Sequence, residues 1–522
     1  MIHRLRRIPR VVWLASACFC ALLTFWSFAN PLFTPPDEIS HSDVVFHLAT
    51  GASYPEYDER TLSQGVVRFG LTYGMILDDE ADRARTVAAA DRFDFGTTFD
   101  EYGGDSSLDT PNQIPQHPPL YYWGSAMTLR AARFAHGGQF AMHQEMHLLR
   151  LVNVALLSPL PLLAWATARR LGAPDRVGLA AALVPFAIPQ LTHVGASVNN
   201  DNLFVALCAV LAVPLASVLR GDRRPRTALV VGVVAGLALL TKGLGVVLPV
   251  WIACCYAVPV IRQRRELAPA MKAAALAVFT TVGVGGWFTF RNLLVHGTPS
   301  PSIHAVTTAP DNFSPDLIAW LKEFPVHLTK GFWGYFGYYE VQIGTWATIG
   351  ATAVTAVALA GAFAPRATSV ERGAGTRRTE LAGSFAILPL LFLFVAVAAW
   401  DLYTKTAYLR NLVQGRYLFG AVVPLAACVA VGAARLLGRW ATLAVLVTAT
   451  TLQIVGLSAL FDHWWDTPDG TLWTAFRSAA AWNPAPLPLF QLSALVTVCS
   501  LAALAYAASV SSVRESDPSP EN

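Results

Sequence analysis

Just past its first apolar run the chain reads Pro35-Pro36-Asp37-Glu38-Ile39-Ser40-His41, the segment of the sequence richest in chemistry. Two prolines end a helix and stiffen the exit from it. Asp37 and Glu38 then fall in the first turn of a short helix, where the helix dipole favours carboxylates. His41 follows Asp37 by four residues and Glu38 by three, so it can share a face with either. A carboxylate placed beside a membrane can deprotonate a sugar hydroxyl or coordinate a divalent cation. An ordinary acidic helix start accounts for the same residues without chemistry.

Further candidates are scattered along the chain. Gln116-His117-Pro118-Pro119-Leu120-Tyr121-Tyr122-Trp123 reads as a rigid entry to a second interfacial helix with aromatic anchors. Lys242 interrupts an apolar stretch in Leu240-Thr241-Lys242-Gly243; an ionisable group at such depth is a functional candidate, with surface snorkelling as the bland alternative. Arg291 and Arg416, in Phe290-Arg291-Asn292 and Gln414-Gly415-Arg416-Tyr417, stand at span ends, where a guanidinium can grip a lipid phosphate or simply reach the headgroups. Ser197-Val198-Asn199-Asn200-Asp201-Asn202 is a polar turn in which Asp201 is placed to cap the next helix. There is no P-loop, GxGxxG, HExxH or GxSxG, which argues against ATP-driven transport and the common hydrolase designs.

The elements that must position these groups are transmembrane helices. Of 522 residues, 54% are hydrophobic and 14% charged, against about 25% charged in soluble domains. Apolar runs long enough to cross a bilayer recur throughout. About twelve spans are expected, near 11–33, 148–170, 174–196, 203–220, 227–243, 244–261, 270–290, 342–364, 380–400, 417–434, 440–460 and 486–508. Arginine clusters (Arg4 to Arg10, Arg169–Arg170, Arg223 to Arg226, Arg262 to Arg265, Arg372 to Arg378, Arg435 and Arg439) fall at every second crossing. That bias puts both termini in the cytoplasm and the protein in the cell membrane. The clusters lack interleaved aromatics, so nucleic acid is not an expected partner.

Three outer loops are long: about 34–147, 293–341 and 461–485. Between Thr34 and His117 the first holds sixteen acidic residues against five basic. The whole reads as one membrane domain, 1–510, with a polar tail, 511–522. The run from Val11 to Phe28 is longer than a usual signal h-region, which favours an uncleaved anchor. All seven cysteines lie in apolar runs, with no disulfide framework or metal-ligand spacing.

Taken in order, Pro-Pro-Asp-Glu…His, His-Pro-Pro-Leu-Tyr-Tyr, Asn-Asn-Asp, Lys-Gly, Arg-Asn and Gln-Gly-Arg-Tyr resemble the bacterial membrane family called domain of unknown function 2142. The resemblance covers roughly Val11 to Pro424. That family is grouped with the GT-C glycosyltransferases, among them protein mannosyltransferases and aminoarabinose transferases. It implies an all-α polytopic protein with two juxtamembrane helices in the first outer loop, the second beginning at His117-Pro118-Pro119. It also implies a catalytic aspartate there, Asp37, with Glu38 beside it, and a polyprenyl-phosphate-linked sugar as donor.

The expected reaction is an inverting transfer to a glycan, lipid or protein acceptor outside the membrane. Asp37 would act as general base, and His41, His117, Lys242, Arg291 and Arg416 would bind substrate, the last three at the donor phosphate. A divalent metal ion is a possible cofactor. A flippase of lipid-linked sugars is the alternative from another class, though its candidate groups should sit at mid-membrane. An O-antigen-type polymerase or ligase would instead place its largest outer loop late in the chain.

Overall fold

The computed structural model describes residues 8–72, 96–262, 267–299, 301, 309–310, 312–365, 376–409, 413–465, 470–482 and 487–514. The chain is a predominantly helical, multi-pass membrane protein, as lipid demands of a backbone that must satisfy its own polar groups. Helix α1 (Arg10–Ala29) leads into a long first loop. That loop holds α2 (Glu38–Ala49), α3 (Gln64–Thr72) and α4 (Leu120–His136). Strands β1 (Thr61–Ser63) and β2 (Ser107–Pro111) pair antiparallel within it, with Ser63 opposite Ser107.

The bundle continues with α5 (Met142–Leu157), α6 (Leu160–Arg170), α7 (Asp175–Leu183), α8 (Pro189–Gly195), α9 (Asn200–Leu219) and α10 (Pro225–Leu239). Next come α11 (Leu248–Arg262), α12 (Leu267–His296) and α13 (Leu317–Trp333). A tight antiparallel hairpin of β3 (Tyr335–Phe336) and β4 (Val341–Gln342) follows. The remaining helices are α14 (Thr345–Phe363), α15 (Arg378–Phe385), α16 (Ile387–Thr406), α17 (Val422–Leu437), α18 (Ala441–Trp464), α19 (Leu472–Trp482) and α20 (Leu487–Arg514).

Among the described residues nine helices are long and apolar enough to cross a membrane, ten with the pair bent by 69° between Ala187 and Pro189. All twelve expected segments are helical, and two features explain the lower number. The stretch Gly415–Trp464 counts once but holds α17 and α18, turned at Gly438 (φ 56°). Helix α10, at 15 residues, is short for a span. The bend after Ala187 follows from Pro189, which lacks a helical donor and pushes Ile188 out of the helical region (φ −120°, ψ 88°). Arg4, Arg6, Arg7, Arg264, Arg265 and Arg372 of the expected cytoplasmic clusters lie outside the described residues.

Small residues set the helix packing, as is usual where lipid offers no hydrophobic driving force. Gly232 and Gly236 of α10 let α12 approach so closely that a Cβ on Gly285 would lie 2.0 Å from the Gly236 carbonyl oxygen. Helices α14 and α17 meet in the same way, at Ala358 and Gly432. The third expected loop holds α19, and the second holds α13 and the start of the hairpin.

Candidate active site

The site is framed by a buried ion pair. Glu38 and Arg150 have fully buried side chains and lie 2.6 Å apart. The Glu38 carboxylate accepts from Arg150 Nε and Nη2, from the Phe33 amide at 2.9 Å and from the Val198 amide at 3.0 Å. Arg150 gives its remaining donor capacity to the carbonyls of Ser27, Asn30 and Pro31. All five guanidinium protons thus have acceptors, the condition under which a buried pair is tolerated. One interaction ties the end of α1, the start of α2, the middle of α5 and the turn before α9.

With its neighbour so occupied, Asp37 faces the other way. It holds the N-cap position of α2 in a left-handed conformation (φ 62°, ψ 7°), and its side chain makes no capping bond. A non-glycine residue pays roughly 1 kcal/mol or more for that conformation. The carboxylate instead pairs with Arg416, whose Nη1 also donates to the Pro36 carbonyl at 3.1 Å. The Asp37 amide donates to the Tyr338 hydroxyl at 3.1 Å. Tyr338 lies at the tip of the β3–β4 hairpin, which is pinned by Gln190 Oε1 accepting from the Tyr335 amide.

Arg416 is delivered by the glycine before it. A Cβ on Gly415 would meet the Phe332 nitrogen at 2.0 Å and the Gly331 carbonyl carbon at 2.3 Å, so the end of α13 packs directly on the Gly415 backbone. Arg416 Nε lies 3.4 Å from Asp201 Oδ2, and Lys242 pairs with the other oxygen of Asp201. Lys242 Nζ also sits 4.7 Å above the Tyr417 ring. Asp201 is free for this because Asn199 caps α9, accepting from the Asp201 amide at 2.9 Å. Lys242 leaves the end of α10 in extended backbone just before a 3₁₀ turn, which ends the helix beside Asp201.

The result is a row of alternating charges, Asp37, Arg416, Asp201 and Lys242, formally neutral in sum. Arg416, Asp201 and Lys242 are 6% exposed or less, whereas the Asp37 side chain is 18% exposed. Asp37 is therefore the member of the row that meets solvent. His41 is buried, with Nδ1 2.9 Å from the Tyr122 hydroxyl. Burial, with His117, Arg416 and Lys242 nearby, holds its pKa well below the ordinary range. His117 is lowered to about 3 by desolvation and by Lys242. Both imidazoles are neutral near pH 7 and serve as hydrogen-bonding groups, not cations.

The structure thus brings Asp37, His41, His117, Lys242 and Arg416 into one region. Glu38 is adjacent but turned into the frame. Arg291 is apart from this row: it pairs with Glu56, which His296 Nε2 also approaches at 3.3 Å. Among the described residues no group of three or more His, Cys, Asp or Glu is placed to hold a metal ion. Asp37 Oδ2 is held by Arg416.

A family model described as "Predicted membrane protein (DUF2142)" matches residues 20–429. The chain belongs to that family. No curated protein matches it significantly. Among solved structures, ArnT from Cupriavidus metallidurans bound to undecaprenyl phosphate aligns at 13% identity over 94% of this chain and 76% of that one, with a TM-score of 0.48. The Archaeoglobus fulgidus oligosaccharyltransferase complex with zinc and sulfate aligns at 12% identity over 86% and 53%, with a TM-score of 0.42.

In this DUF2142 protein, sequence reasoning overlooked Arg150, Asp201 as an ion-pair partner, Tyr338 and Tyr417. Arg150 carried a signal, as a lone charge inside an apolar run. Tyr338 carried none, since it meets Asp37 across 301 residues of chain.

Proposed function

We propose that this protein is a GT-C-type glycosyltransferase. It would move a sugar from a polyprenyl-phosphate-type lipid to an acceptor hydroxyl, with Asp37 as general base. The observation that supports this most is the partly exposed Asp37 carboxylate heading a buried row of two cations and one further acid. In the proposed step the acceptor oxygen forms a bond to the anomeric carbon as the bond from that carbon to the phosphate oxygen breaks. The hydroxyl proton passes to Asp37, and the lipid phosphate leaves with one more negative charge. Protonating Asp37 changes the row from neutral to net positive at that moment. Arg416 then keeps only Asp201 as an anionic partner, and its Nη2 becomes available to the departing phosphate, with Lys242 behind it. Stabilisation would thus rise in the transition state, where it accelerates reaction.

The same reading places the face bearing Asp37 outside the cell membrane and both termini inside. It assigns His41 and His117, as neutral donors and acceptors, to the substrate side of the row. Glu38 becomes a positioning residue.

The test is transfer from radiolabelled polyprenyl-phosphate sugars in lipid nanodiscs. Asp37→Asn keeps size and much hydrogen bonding but removes basicity; it should fold normally and lower the rate about a hundredfold or more. Transfer at the wild-type rate would remove Asp37 as the base. Passage of the lipid-linked sugar across the bilayer without consumption would put a flippase in its place.

A further inference from the structure

A cavity lies behind the wall that carries His117. It encloses about 150 Å³ and is lined by residues of α12, of the start of α4 and of the loop after α2. Tyr54 and Tyr122 form the partition: the Tyr54 hydroxyl donates to the His117 carbonyl at 2.7 Å, and the two rings lie 6.0 Å apart. On the far side of that partition Tyr122 meets His41. The cavity and the Asp37 row are therefore neighbours with separate linings.

Its chemistry is mixed in a particular way. Trp123 and Trp287 both line it; their rings are stacked at 10° with centroids 6.5 Å apart, and the residues remain 40% and 43% exposed. One turn along α12 from Trp287, on the same face, Arg291 brings in planar polar groups: Glu56 paired to it, Asn292 within reach of it at 3.4 Å, and His296 near Glu56. The hydrogen bond from Arg291 holds the Glu56 carboxyl below its usual range, so the pair is charged on both sides and neutral in sum. An anion gains little from a guanidinium whose charge is already matched. A neutral ring with an apolar C–H face and a rim of hydroxyls suits both sets, since indoles cover the face and the Arg–Glu–Asn set offers donors and acceptors side by side.

Location supports this. Helix α12 has 30 residues, about 45 Å at roughly 1.5 Å per residue. A hydrocarbon core of about 30 Å cannot contain it upright, and the charged and polar residues of its last turns, Arg291, Asn292 and His296, suit the end that emerges at the membrane surface.

The geometry points to a carbohydrate subsite in this cavity, binding a neutral pyranose of the acceptor next to the residue whose hydroxyl attacks. The acceptor assignment rests on the glycosyltransferase reading; the cavity's preference for a pyranose does not. Arg291 then serves the acceptor, not the donor phosphate.

Saturation-transfer NMR on the full chain in nanodiscs tests this without requiring transfer. The probes are the methyl glycosides of glucose, galactose, mannose and N-acetylglucosamine, with inorganic phosphate as competitor. At least one glycoside should bind wild type and Asp37→Asn alike. Trp123→Ala and Trp287→Ala, on different helices, should each weaken that binding about fivefold or more while melting like wild type. Phosphate should not compete. No glycoside binding, binding indifferent to both tryptophan variants, displacement by phosphate, or loss of binding in Asp37→Asn would each overturn the subsite. Binding at the cavity by a protein that transfers nothing would overturn the transferase reading while supporting the cavity's sugar chemistry.

Discussion

Replacing Glu38 by Gln should cost this protein its fold before it costs any chemistry. The carboxylate accepts four hydrogen bonds, two from Arg150 and two from backbone amides. A glutamine amide nitrogen accepts none, so one oxygen must serve donors that now have two, and one face turns a donor towards donors. Arg150 keeps its charge at 0% exposure with no counterion. Breaking a buried pair from one side typically costs about 3–5 kcal/mol. At about 1.4 kcal/mol per decade that lowers the folded-to-unfolded equilibrium constant roughly a hundredfold to several thousandfold. The check is thermal unfolding in nanodiscs of wild type, Glu38→Gln, Arg150→Gln and the double variant. Each single variant should melt far below wild type. The double variant should be less destabilised than the sum of the singles, because the second change removes a charge already stranded. Asp37→Asn, one residue away, should melt normally. A Glu38→Gln protein that melts like wild type yet transfers no sugar would refute this: Glu38 would then belong to the reaction and not to the frame.

Three further outcomes follow from the same geometry. Gly415→Ala should lower both stability and transfer, because its Cβ would collide with backbone at Phe332 and Gly331 and carry Arg416 away from Asp37; Gly350→Ala, which meets nothing within 4 Å, should leave transfer unchanged. Asp201→Asn and Lys242→Met should each impair transfer, and the double variant should be little worse than either single, since the two side chains form one pair; additive losses would break that coupling. His117, lowered to about 3 in the fold from an ordinary 6.5, binds a proton in the unfolded chain first. The stability it contributes is whole above about pH 6.5 and declines as pH falls toward 3, so the melting temperature should drop less steeply with acid in His117→Gln than in wild type. Equal slopes would mean that His117 titrates normally.

What the amino-acid order determined alone is everything that depends on local composition. Apolar runs of membrane length produced helices at every expected position, because lipid leaves the backbone no other solution. Pro35 and Pro36 are expected to end the first helix, but α1 stops at Ala29, where Asn30 is extended ahead of Pro31; the two prolines lead only into α2, as His117-Pro118-Pro119 leads into α4. Those are short-range effects of ring geometry and missing donors. Tertiary structure alone decided what the charged residues are for. Asp37 and Glu38 are chemically near-equal neighbours, and only the position of Arg150, 112 residues away, assigns one to the frame and leaves the other at the surface. Arg291 and Arg416 look alike in sequence, each beside a polar residue at a span end. One finds Glu56 and the other finds Asp37, 379 residues distant. Charge pairing depends on distances of a few ångströms between groups that the chain itself separates by hundreds of residues. Such distances exist only once glycine contacts such as Gly331 on Gly415 have set how closely the helices pack.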